Sequence, residues 1–138
     1  MCKVNVLGIG IDPLPLEKIL GFILETVSMN RRALVAHANI TGLNLAYEQT
    51  WLQAFYNRCD LVYCDGMGVI VGARWLGGWI PERYTLADWI WRLVEGAAQQ
   101  GTSALPVRQS TWRSGGGCRK NAVAFFRTAY CWCTAWLF

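Results

Sequence analysis

Three times in the first hundred residues a short strand-like run gives way to a stretch with helical apolar spacing, and this alternation narrows the possible folds more than any other feature. The run from Val4 to Ile11 is β-branched and punctuated by Gly8 and Gly10; Asp12-Pro13-Leu14-Pro15 breaks it. From Leu16 to Met29, residues Leu16, Ile19, Leu20, Ile23, Leu24 and Val27 recur every three or four positions, which gives a helix one apolar stripe. Residues 33–39 read as a second strand, buried on both faces. Asn39 or Thr41 can cap the helix that follows through Leu43, Leu45 and Tyr47 to Asn57. Residues 60–64 form the third strand, which stops at Asp65-Gly66-Met67-Gly68 before a helical pattern from Val69 to Leu76. Gly77-Gly78 ends that helix, residues 81–85 make a polar loop, and a last amphipathic helix runs from Ala87 to Gln100. This order predicts an α/β domain with helices layered on a mostly parallel sheet.

The charges do not follow one pattern along the chain. All nine acidic residues lie in the first 103 positions, against eight Lys and Arg, whereas the last 35 residues hold five basic side chains and no acid. Those last residues also carry three of the six cysteines and three of the eight tryptophans. One domain surface ordinarily mixes both signs, so residues 1–103 and 104–138 are read as two segments. The net charge of +4 belongs to the second, and it supplies no argument for a nucleic-acid partner.

Met1-Cys2-Lys3 leads straight into the first strand with no secretory leader, so the cysteines are expected to be reduced thiols in the cytoplasm. Cys131-Trp132-Cys133 lacks a second Cys/His pair at zinc spacing, and no metal site is expected. No run approaches the ~18 apolar residues of a membrane span. Gly8 and Gly10 without a third glycine do not make a dinucleotide fingerprint.

Ligands of parallel sheets bind beyond the carboxyl ends of the strands, among loops and helix N-termini. Two polar clusters fall there, His37-Ala38-Asn39 and Asp65-Gly66-Met67-Gly68. Asp65 is either a general base beside glycines that let a substrate approach, or an N-cap, the commoner role for Asp before a helix. Asn39 has the same two readings. His37, the chain's one histidine, is either a ligand or a hydrogen-bonded strand-end residue, and no His pair can be built with it. Arg83 either clamps a diphosphate or pairs with its neighbour Glu82. Trp75, Trp79, Trp89 and Trp91 are expected in core and rim packing, with sugar stacking the lesser alternative.

Together, Val4 to Ile11, His37-Ala38-Asn39-Ile40 with Gly42-Leu43-Asn44-Leu45-Ala46, Cys59-Asp60-Leu61-Val62, Asp65-Gly66-Met67-Gly68 and Ile80-Pro81-Glu82-Arg83-Tyr84-Thr85 resemble the WecG/TagA/CpsF glycosyltransferases over residues 3 to 103. The D-G-x-G and P-E-R-x-T pair, in this order and spacing, is much more specific than either alone. The resemblance implies a Rossmann-like layered domain. It also implies transfer of an N-acetylmannosamine-type hexose from a UDP-sugar to a polyprenyl-diphosphate-linked acceptor, with inversion and without metal or other cofactor, at the inner face of the cell membrane. It implies Asp65 as the base and Asn39, His37, Gly66, Gly68, Arg83 and Thr85 as substrate-binding residues. Many family members carry threonine where His37 stands. The oligomeric state is left open.

Residues 104 to 138 match none of the strand, glycine turn and charged helix with which that family continues. Their Arg, Gly, Cys and Trp richness without acid resembles GC-rich coding sequence translated out of register. Reading the second and third bases of each codon with the first of the next permits a string containing Leu-Leu-Gly-Ser and ending Arg-Ile-Val-Gly-Val-Arg-His-Gly-Tyr. The single tryptophan codon forces glycine at Trp112, Trp132 and Trp136, where the family has glycine. A frameshift near Ser103 is therefore expected, leaving a domain incomplete at its C-terminus, with an exposed sheet edge, a poorly ordered tail and little or no activity. Two alternatives are a non-catalytic α/β remnant that holds a nucleotide or pairs with a subunit, and a membrane-surface protein whose basic tail lies on lipid. Gly115-Gly116-Gly117 argues against a helical stripe in that tail.

Overall fold

The computed structural model describes residues 2–108, 118–126 and 134–137, and beyond Thr102 its backbone alone. It is mixed α/β. The elements are β1 (Val4–Val6), β2 (Ile9–Ile11), α1 (Leu16–Ser28), β3 (Val35–Ala38), α2 (Ile40–Glu48), α3 (Thr50–Arg58), β4 (Leu61–Cys64), α4 (Met67–Trp75), α5 (Leu86–Gln99), β5 (Ser103–Arg108), β6 (Cys118–Phe126) and β7 (Thr134–Leu137).

The parallel core is β3 beside β4, with His37 opposite Tyr63 and Ala38 opposite Cys64. All eight of their residues are buried, as expected for strands covered on both faces. Side chains alternate between two clusters. Ala36, Ala38, Val62 and Cys64 pack with β1, β2, α2, α3 and α4; Val35, Leu61 and Tyr63 pack with Ile19 and Ile23 of α1 and Trp89 and Leu93 of α5. The outer side of β4 is met by the β2–α1 loop: Asp12 donates its backbone N–H to the Val62 carbonyl at 2.8 Å, and its carboxylate accepts from the Val62 N–H at 2.9 Å.

Three sequence expectations are corrected. The run from Val4 to Ile11 is an antiparallel hairpin, not one strand, because Leu7 and Gly8 both take positive φ (52° and 83°) in a two-residue turn that pairs Val6 with Ile9. The helix expected to reach Asn57 is two helices. Gln49 is extended, and the break is needed because Leu52 lies six residues after buried Ala46, roughly 240° around an unbroken helix. The sheet is not mostly parallel among the described residues: β1–β2 and β5–β6–β7 are antiparallel, and β3–β4 is the one parallel pair. The expectation of a poorly ordered tail also concerns residues 109–117, 127–133 and 138, which lie outside the described residues.

Candidate active site at the ends of β3 and β4

Both polar clusters end their strands side by side, and each opens a helix. Asn39 takes the N-cap of α2, where its Oδ1 accepts from the Gly42 N–H at 2.7 Å. A Cβ on Gly42 would lie 2.8 Å from the Tyr56 hydroxyl and 3.2 Å from Asn39 Oδ1, so glycine keeps this turn compact. The cap reading of Asn39 is thus correct as far as its oxygen goes, and the NH₂ is the group with which it can meet a ligand.

Asp65 is not a cap. Gly66 holds the N-cap position of α4, at φ +140°, where side-chain-bearing residues are strained, and no side chain caps the helix. The Asp65 carboxylate takes its partners elsewhere. Oδ1 accepts from the Thr85 hydroxyl at 3.1 Å, and Oδ2 lies 3.7 Å from His37 Nε2, too long for a hydrogen bond. Thr85 Oγ1 in turn accepts from Arg83 Nη1 at 3.0 Å. The pairing of Arg83 with Glu82 is thereby corrected, since Glu82 accepts from the Tyr84 hydroxyl. The two motifs, twenty positions apart, are joined by the backbone as well: Tyr84 N–H donates to the Cys64 carbonyl at 2.8 Å. Gly68 sits in the first turn of α4, where a Cβ would come into ordinary contact with that of Ile40 at 3.4 Å, so the starts of α2 and α4 lie side by side.

The site is dry below and open above. His37 is buried, its ring 6.0 Å from that of Tyr63, and Tyr63 meets Trp89 edge to face at 5.6 Å. Burial holds the His37 imidazole below its ordinary range, and the Asp65 carboxylate opposes that depression without cancelling it. Burial also pushes the Cys64 thiol up to about 11, so it stays protonated at neutral pH. Arg83 is exposed, and Asp65 and Thr85 are half-buried. Sequence reasoning missed Tyr56, whose hydroxyl donates to the His37 carbonyl, and Tyr63; the register that sets His37 opposite Tyr63 is the signal that would have found the second. Of the four tryptophans expected in packing, Trp89 is buried, while Trp75, Trp79 and Trp91 are exposed. A cleft lined by Val27, Ser28, Asn30, Gln100 and Thr102 lies at the far ends of α1 and α5 and offers no titratable side chain among the described residues. Among the described residues no three His, Cys, Asp or Glu side chains gather in one place, and no helix is long and apolar enough to cross a membrane.

The single histidine makes this electrostatic arrangement measurable. In a proton NMR titration the His37 ring is expected to titrate below the usual value of about 6.5, and lower still in Asp65→Asn. The unfolded chain then binds the extra proton first as pH falls. The stability that neutral His37 contributes is whole above about pH 6.5 and is lost on descending toward the depressed folded-state value. Urea midpoints should therefore fall over that window in the wild-type chain and less in His37→Thr; equal slopes would refute the assignment.

Residues 4–107 match the family model described as Glycosyl transferase WecG/TagA/CpsF family, running four residues past the composition break at 103. A search of curated proteins finds no match. The match contains the whole constellation, from the strand-end His37 and Asn39 through Asp65 to Arg83 and Thr85. A chain that matches over most of its length and assembles those motifs at one sheet end belongs to the WecG/TagA/CpsF family of glycosyltransferases.

Proposed function

We propose that the domain is built to move an N-acetylmannosamine-type hexose from a UDP-sugar to a hydroxyl of a polyprenyl-diphosphate-linked sugar, in cell-envelope polysaccharide synthesis. The observation that carries the reading is the Arg83-to-Thr85-to-Asp65 chain of hydrogen bonds at the end of β4. Thr85 engages Oδ1 of Asp65 and leaves Oδ2 to take the acceptor proton as the acceptor oxygen attacks the anomeric carbon and UDP departs, inverting that centre. Arg83 and the N-termini of α2 and α4 offset the diphosphate charge, and the Asn39 NH₂ orients a sugar. Gly66 and Gly68 keep side chains out of the way. His37 lies behind Asp65 and lines the floor of the pocket. The layered domain is of Rossmann-like type, works in the cytoplasm at the inner membrane face, and uses no metal.

The tail from residue 104 is read as the product of a frameshift near Ser103. Its acid-free composition, its three tryptophans at expected glycines and the end of the family match at 107 support this. As written, the chain then lacks part of its donor pocket. Resequencing the coding DNA across the codons for Gly101 to Leu105 tests this directly. Assaying both forms with UDP-N-acetylmannosamine and a polyprenyl-diphosphate acceptor completes the test. The frame-restored protein is expected to make lipid-linked product and the 138-residue chain to make little or none; robust turnover by the latter would refute its reading as an inactive remnant, and an uninterrupted frame on resequencing would refute the frameshift.

A further inference from the structure

Helix α4 is apolar around nearly its whole circumference. Val69, Ile70 and Ala73 are buried against the core, yet the opposite side presents Met67, Val71 and Trp75 at four-residue spacing, exposed by 58%, 43% and 86%. A helix that is hydrophobic all round is normally enclosed by protein or lipid. The stripe is continuous with the site at one end, since Met67 follows Gly66 and Gly68 packs beside exposed Ile40. Trp79, four residues beyond the end of α4, is also 65% exposed. The one charged residue of α4 is Arg74, exposed in the last turn beside Trp75.

We infer that this face of α4, with Ile40 and Trp79, rests in the interface of an anionic bilayer and brings the mouth of the Asp65 site to headgroup level. The side-chain types select this occupant. Tryptophans suit the boundary between hydrocarbon and headgroups, Met67 and Val71 suit shallow burial in acyl chains, and an arginine with no acid on the same helix suits lipid phosphate. The orientation serves a lipid-carried acceptor, because the diphosphate then enters at the strand ends while its hydrocarbon stays in the membrane. To that extent the inference rests on the acceptor proposed above.

The test is flotation of the full chain with phosphatidylglycerol–phosphatidylcholine vesicles and with phosphatidylcholine alone, with no sugar nucleotide present. Binding to the anionic vesicles is expected to fall about tenfold or more in the double variant Val71→Glu, Trp75→Glu. Arg74→Gln should weaken binding and flatten its salt dependence. Trp91→Glu serves as the control, since Trp91 is equally exposed but lies on α5, across the sheet. It should bind like wild type. The basic tail is present in every variant, so binding that survives the α4 double variant arises elsewhere and overturns the inference. An equal loss in Trp91→Glu overturns it too. So does light scattering that shows wild-type self-association abolished by the double variant while vesicle binding persists. Trp75→Gln, a milder change on a largely exposed side chain, repeats the test should the double variant not fold. Donor binding measured without vesicles reports on the proposed transferase separately, so one can fail without the other.

Discussion

Asp65→Asn in the frame-restored protein is expected to lower hexosyl transfer by about 10²- to 10⁴-fold, the usual contribution of a positioned general base. The amide is nearly isosteric, and its oxygen can still accept from Thr85, as Oδ1 does at 3.1 Å, so the loop over residues 81–85 should stay in place. What is lost is the acceptor for the proton of the attacking hydroxyl. The effect should therefore fall on kcat, read as UDP release or lipid-linked product, with KM for the donor little changed. Thr85→Val makes a useful contrast. It leaves the carboxylate but removes the donor that orients it and the link to Arg83, so its loss should be smaller and accompanied by weaker donor binding. If Asp65→Asn kept more than a tenth of the wild-type rate, Asp65 would not be the base.

Much of this site was legible from the sequence because strand ends and glycines announce themselves. Asp65-Gly66 follows an apolar run that could only be a buried strand, and the P-E-R-x-T segment follows at a spacing that one short helix fills. What decided the role of Asp65 was not legible. Capping and catalysis share one local pattern, and the choice turned on which residue takes the N-cap of α4: it is Gly66, at φ +140°, and the Asp65 carboxylate accepts from Thr85 instead. Arg83 shows the same limit: its neighbour in sequence is Glu82, but the chain turns so that Thr85 is within reach. The hairpin at Leu7-Gly8 was hidden because leucine seldom adopts positive φ and the β-branched run continues through the turn. The helix break at Gln49 carries neither proline nor glycine. It shows only as a change of phase between Ala46 and Leu52, visible once one asks which side chains must face the same core. Trp75, Trp79 and Trp91 were expected in core and rim packing on residue type alone, which does not distinguish a buried tryptophan from an exposed one.

The floor of the site gives the largest expected effect on stability. Trp89→Ala should destabilise the chain by about 3–5 kcal/mol, the range for removing a buried aromatic side chain. A domain of this size has about 5–15 kcal/mol in all. Trp89 is 1% exposed and sits where α5 meets the β3–β4 pair, with Leu93 one turn along the same face and Tyr63 edge-on at 5.6 Å. Neighbours cannot close the gap cheaply: the strands are fixed by their own ladder, and α5 is anchored at its start by the Tyr84 to Cys64 backbone bond. Trp89→Phe keeps the edge-to-face partner and most of the volume, so it should recover the larger part of the loss. The urea midpoint followed by circular dichroism checks both. The same substitution has a second reading through the one histidine. Tyr63 stands between Trp89 and His37, with ring centres 5.6 and 6.0 Å apart, so a cavity at Trp89 loosens the wall that keeps water from the imidazole. In any Trp89→Ala protein that remains folded, the His37 titration should move up toward its ordinary value as the desolvation that lowers it is relieved. A stability change within 1 kcal/mol, or a His37 midpoint unmoved in a destabilised variant, would separate the aromatic floor from the site it is held to support.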